Sequence, residues 1–209
     1  GLEYQKAEVL PSSAEHPFLR LAVTHNDGKR VICTNLVGSY NADNVMAAIA
    51  VGQHFGIAFE DAAEAIEAYM PSNNRSQMSR TENNTLIIDA YNANPTSMEA
   101  ALKNFRDVEA EHKTALLGDM LELGEESVAE HVRIAEMALD LGLENICFVG
   151  SEFDKALKEI GPDRTQGKAL SFLTSADLVE YLRSSPLKDS VVLLKGSRGT
   201  RMEKAIEVL

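Results

Sequence analysis

From residue 85 onward the chain repeats one rhythm: a short apolar run, a loop, then an amphipathic stretch of helical length. The apolar runs are 85–89, 114–117, 145–149, 169–173 and 190–194. The stretches with helical periodicity are 95–109, 127–141, 152–160, 175–183 and 200–209. Strands apolar along their whole length need cover on both faces, and helices between them supply it. Right-handed crossovers then give an α/β, Rossmann-like, doubly wound and mostly parallel sheet. Local signals agree. Asn94-Pro95 reads as an N-cap with proline at the first helical position, and Thr174-x-x-Asp177 and Thr200-x-x-Glu203 resemble capping boxes.

The first third reads differently. Residues 18–24 and 31–36 are strand-like around Asn26-Asp27-Gly28, a hairpin signal. Asn41 opens a helix with Val45, Ala48, Ile49, Gly52 and Phe55 on one face, closed by Gly56. A second helix presents Phe59, Ala62, Ala63, Ile66 and Met70 and stops at Pro71. The polar run 71–84 reads as a hinge. A hairpin and two helices are too little sheet for a domain. This part is expected to be the tail of a larger domain, with Gly1 a cloning remnant and the chain an excised piece. The expected division is 1–78 and 79–209.

A formal charge of −12 in 209 residues argues against a nucleic-acid partner, so any anionic ligand must be held by a few local cations. Neither an apolar run long enough to cross a membrane nor a signal peptide is visible, and the cytoplasm is the expected location. Cys33 and Cys147 sit in apolar runs and read as buried, reduced thiols. His16, His25, His54, His112 and His131 show no metal-ligand spacing, so no metal site is expected within the chain.

Ligands of open α/β sheets bind beyond the carboxyl ends of the strands. Loops 89–97, 118–125, 150–152 and 195–201 leave those ends, and the first, second and fourth are expected to share one crevice. The residues alone leave two roles open for each. Asp89 either meets a ligand or ties down its loop. Asn92 and Asn94 are also ordinary turn and cap residues. Gly118-Asp119 is also an ordinary turn. Residues 195–201 suit an anion, yet no G-x-x-x-x-G-K-[ST] phosphate loop occurs in the chain. His131 reads as a surface or packing residue that is also within reach of the crevice.

Four segments together resemble the Mur ligase family: Gly38-Ser39-Tyr40-Asn41-Ala42-Asp43-Asn44 with Ala47-Ala48-Ile49-Ala50; Ile88-Asp89-Ala90-Tyr91-Asn92-Ala93-Asn94-Pro95-Thr96-Ser97-Met98; Leu117-Gly118-Asp119-Met120-Leu121-Glu122-Leu123-Gly124-Glu125 with His131; and Lys195-Gly196-Ser197-Arg198. The resemblance runs from about residue 36 to the end. It implies a C-terminal Rossmann-like domain behind the tail of a central ATPase domain. It also implies an ATP- and Mg²⁺-dependent amide-forming ligase of peptidoglycan precursor synthesis. Such a ligase joins D-Ala-D-Ala to UDP-MurNAc-tripeptide through an acyl phosphate.

By the same resemblance Asn41 and Asn44 approach adenine, Arg75 the ATP phosphates and Asp89 the ribose. Tyr91, Asn92 and Asn94 line the nucleotide and peptide side, and Gly118, Asp119, Lys195 and Ser197 the incoming dipeptide. No catalytic residue is assigned within the chain, and on its own it is expected to be inactive. Tyr40 and Ile88 depart from the family pattern, which often has His and Asp there. Other amino-acid ligases of the superfamily, folylpolyglutamate synthase and a noncatalytic binding module are the alternative readings.

Overall fold

The computed structural model describes residues 6–11, 17–25, 28–72 and 74–209. The chain divides into two compact units, 1–72 and 73–209.

In the first unit β1 (Ala7–Leu10), β2 (Arg20–His25) and β3 (Gly28–Cys33) form an antiparallel sheet. The β2–β3 register pairs His25 with Gly28, the two-residue connection expected of the hairpin; Asn26 and Asp27 lie outside the described residues, as does His16. Helices α1 (Ala42–His54) and α2 (Phe59–Ala68) pack with the sheet around Leu21, Val23, Ile32, Val45, Ile49 and Phe59. Gly56 follows α1 at φ +85°, the left-handed conformation that ends helices.

The expected faces of the two helices are only partly buried within this unit. Ala48 and Phe55 of the expected α1 face are exposed, Phe55 by 79%. Met70, expected on α2, lies beyond the helix and is exposed. Cys33 is exposed rather than buried, because strand alternation turns Ile32 inward and Cys33 outward. Cys147 is buried, and burial pushes its thiol up to about 12.

The second unit is built on a sheet in the order β4-β5-β9-β6-β7-β8. The strands are β4 (Gln77–Arg80), β5 (Asn84–Asp89), β6 (His112–Gly118), β7 (Asn145–Val149), β8 (Leu170–Phe172) and β9 (Ser190–Lys195). All neighbours are parallel except β4 with β5. Strand β4 lies inside the expected hinge, which moves the division between units ahead of the expected 78/79. Its sequence, Gln-Met-Ser-Arg, gives no apolar alternation because an edge strand needs none.

Helices α3 (Pro95–Arg106), α4 (Ser127–Leu139) and α5 (Ser151–Ile160) pack side by side along the chain. A short α6 (Pro162–Thr165) precedes β8. Helix α7 (Ser175–Ser184) packs with the final segment against Leu86, Ile88, Leu116, Val192 and Leu194. The Asn94 and Thr174 caps form as reciprocal boxes with Ser97 and Asp177. The expected helix 200–209 is instead a 3-10 segment, Met202–Val208, with no capping box. The Thr200 hydroxyl turns back to the Ser197 carbonyl (2.6 Å), and Arg201 is left-handed (φ +53°), so neither residue can start an α-helix.

Candidate functional site

The carboxyl ends of β5, β9 and β6 lie side by side, and their loops are bonded together. In the parallel register Asp89 sits beside Lys195, and Lys195 beside Leu117. The Lys195 ammonium donates to Asp89 Oδ2 (2.6 Å) and to the Asn92 carbonyl (3.3 Å), with Lys195 only 1% exposed. A buried cation needs such partners, since an unpaired charge there is strongly destabilising. The second carboxylate oxygen of Asp89 accepts the Ser76 amide (3.4 Å), and the Ala90 amide donates to the Asn74 carbonyl (2.8 Å). Residues 74–76 are thereby tied to the loop after β5.

Ser197 joins the remaining loops. Its hydroxyl donates to the Ala93 carbonyl (3.3 Å) and accepts the Leu121 amide (3.0 Å), and its own amide donates to the Asp119 carbonyl (3.1 Å). Gly118 and Gly196 meet backbone to backbone: a Cβ on Gly196 would fall 2.9 Å from the Gly118 Cα. Glycine at both strand ends is what permits the two loops to cross.

Asp119 is buried. Its carboxylate accepts the Glu152 and Phe153 amides (3.0 and 2.9 Å) at the start of α5, so loop 150–152 is bound to the same cluster. The sequence spacing gave no sign of the attachment of loop 150–152, the third of the four. Desolvation holds the Asp119 carboxyl above its ordinary value, against the lowering effect of those two amides and of His131. His131 is fully buried. Its Nε2 accepts the Met120 amide (3.0 Å), which leaves Nδ1 to donate to the Ser127 carbonyl (2.7 Å). It both packs, edge-on to Phe153, and reaches back to the loop after β6.

The outer face of the cluster is cationic and aromatic. The Arg75 guanidinium lies over the Tyr91 ring at 3.6 Å from its centroid, and that of Arg198 at 5.7 Å. Neither arginine has an acidic partner among the described residues. Asn92 is exposed, its Oδ1 accepting the Ala93 amide, and Asn94, also exposed, accepts the Ser97 amide on its Oδ1 as the cap of α3. In the first unit, Asn44 donates to Asn41 Oδ1 (3.1 Å), and Asn41, buried, donates to the Val37 carbonyl (2.8 Å). One helical turn thus brings the two asparagines together. The Arg198–Tyr91 contact had no signal in sequence, since it joins loops more than a hundred residues apart.

The surface formed by Arg75, Tyr91 and Arg198 suits an anion attached to a planar or polar group. Among the described residues no group of three or more His, Cys, Asp or Glu side chains could hold a metal ion, so no metal ligand is assigned in this chain.

The model of the Mur ligase glutamate ligase domain matches residues 74–198, the unit that carries this cluster. The chain belongs to the Mur ligase family. It is 33% identical over 180 residues to the UDP-N-acetylmuramoyl-tripeptide–D-alanyl-D-alanine ligase of Bacillus subtilis, an alignment covering 83% of this chain and 38% of that protein. Among solved structures it resembles a MurF from Acinetobacter baumannii (TM-score 0.80, 27% identity, 97% of this chain and 43% of that one). The fold is also that of the Thermotoga maritima MurF solved in complex with ADP (TM-score 0.76, 18% identity, 100% and 47%). The chain therefore spans about two fifths of the length of the Mur ligase relatives it matches.

Proposed function

We propose that this chain is the C-terminal part of an ATP-dependent Mur ligase that joins D-Ala-D-Ala to UDP-MurNAc-tripeptide. The observation carrying this reading is that residues 89–98, 118–125 and 195–198 are bonded into one cluster at the strand ends, in a chain similar to ligases of that name. A terminal carboxylate oxygen of the tripeptide attacks the γ-phosphorus of ATP and ADP leaves. The dipeptide amine then attacks the acyl carbon, and phosphate departs with the electron pair of the broken C–O bond. Such chemistry asks the protein for positioning and charge neutralisation more than for a covalent group.

Within that reading Asn41 and Asn44 contact adenine. Arg75 contacts phosphate, where a guanidinium offers a planar fork of donors. Asp89, Tyr91, Asn92 and Asn94 face ribose, nucleotide and peptide. Gly118, Asp119, Lys195 and Ser197 shape the dipeptide side; their bonds to neighbouring loops suit positioning. Mg²⁺ belongs to the family reaction and is assigned to no residue here. The chain contains no phosphate-loop motif, so by itself it is expected to release no phosphate from ATP in response to D-Ala-D-Ala.

The test is phosphate release by the whole protein with UDP-MurNAc-tripeptide, ATP and either D-Ala-D-Ala or single amino acids. Turnover with the dipeptide is expected. Turnover only with a single amino acid, or with a folate as acceptor, overturns the assignment.

A further inference from the structure

We infer that Arg198 is the residue that binds the free carboxylate of the incoming dipeptide. This rests on the proposed reaction and names a substrate contact within it. D-Ala-D-Ala offers an amine, a peptide bond, two methyl groups and one carboxylate, and a carboxylate drawn from water needs a cation. The chain is acidic overall (net charge −12), and the structure separates the Lys and Arg side chains near the strand ends by what they are already doing.

Lys195 is buried and bonded to Asp89 and the Asn92 carbonyl, so its charge is neutralised inside the loop cluster. Arg75 lies on the Tyr91 ring, on the segment tied to Asp89, the nucleotide side of the proposed reaction. Arg198 is exposed, has no ion pair among the described residues and sits 5.7 Å from the Tyr91 centroid; Arg201, on the same loop, is also exposed and without an ion pair there, but it does not lie over that ring.

Its neighbourhood also suits an alanyl residue. Leu121, 46% exposed, rests on Gly199, the next residue, so that a Cβ there would lie 2.7 Å from Leu121 Cδ1. The Leu121 amide is held by Ser197 Oγ, which fixes the apolar side chain beside the arginine. A cation with an adjacent small apolar surface matches a methyl group next to a carboxylate better than it matches a phosphate chain. The Ser197 hydroxyl, one residue before Arg198, donates to the Ala93 carbonyl and accepts the Leu121 amide, which holds the start of the loop that carries the arginine.

The test uses the whole protein and separates the two anions that could meet this arginine. Arg198→Ala is expected to raise KM for D-Ala-D-Ala by about 10- to 100-fold, the scale of a charge-assisted bond, with Arg198→Lys restoring only part. KM for ATP is expected to stay within about 2-fold. Wild type is expected to use D-alanyl-D-alaninamide, which lacks the carboxylate, as poorly as Arg198→Ala uses the dipeptide, and the variant is expected to treat dipeptide and amide alike. A variant that keeps the preference for dipeptide over amide, or one whose KM rises for ATP instead, overturns the inference. So does a wild type indifferent to the amide, a comparison that needs no variant to fold. A wild type that does not respond to D-Ala-D-Ala at all overturns the parent reading; one that responds while Arg198→Ala keeps its preference overturns only this one.

Discussion

Removing the Asp89 carboxylate leaves the Lys195 ammonium without its charge partner in a site where the lysine is 1% exposed. Two unit charges 2.6 Å apart attract by about 6 kcal/mol at an effective dielectric constant near 20. Desolvation of both ions cancels much of that, so the pair itself adds little. Removing one partner is costlier, because the remaining charge keeps its desolvation and loses its compensation, at about 3–5 kcal/mol. The Asn92 carbonyl, 3.3 Å from the ammonium, is a weak substitute. Asp89→Ala is therefore expected to lower the melting temperature by roughly 6–20 °C, taking about 2–4 °C per kcal/mol for a chain of this size. The double variant Asp89→Leu with Lys195→Met removes both charges and is expected to recover much of the loss. The assay is thermal unfolding followed by circular dichroism, on both variants and wild type. An Asp89→Ala midpoint equal to wild type, or a double variant no better than the single one, would refute the claim that burial of the lysine sets the cost.

Other expectations follow from the same cluster. A Cβ on Gly150 would land on the Asp119 carboxyl group, and its φ is +123°, so Gly150→Ala is expected to cost about 2–5 kcal/mol in denaturant unfolding, while Gly142→Ala (φ +65°, open space) should cost about 1. Asp119 has its folded pKa raised by burial, so the native state binds the extra proton and stability falls as pH rises from the ordinary carboxyl value through the raised one. The stability deficit of Asp119→Asn should accordingly be largest at acid pH and shrink toward neutrality; a deficit independent of pH in a urea series would contradict it. Asn94→Ala removes one side of the α3 capping box and is expected to cost about 1 kcal/mol in the same measurement.

Much of the second unit was legible because its signals are local. The five parallel strands were marked by apolar runs, and the Asn94 and Thr174 caps by residues three apart. Strand β4 was hidden because its side chains alternate nothing. The helix expected at 200–209 failed at Thr200, whose hydroxyl is turned back to donate to the Ser197 carbonyl and accepts no amide from the residues ahead. At the site, the convergence of loops 89–97, 118–125 and 195–201 followed from topology. What each side chain does there did not. Asp119 reads as a crevice carboxylate in sequence, but in space it receives two amides of α5. Cys33 was misread because an apolar run does not say which face of an edge strand is inward.

The sheet order carries a consequence for how the protein is made. The central strand β9 is the last of the six in sequence, and it separates β5 from β6. Until residue 195 has left the ribosome, β5 and β6 each present an open parallel edge with no neighbour to close it. Lys195 and Ser197 arrive with that same strand, so the loops of the site are joined only once that strand has been made. A chain stopped before residue 190 would lose the middle of its sheet and the bonds of its site in one step.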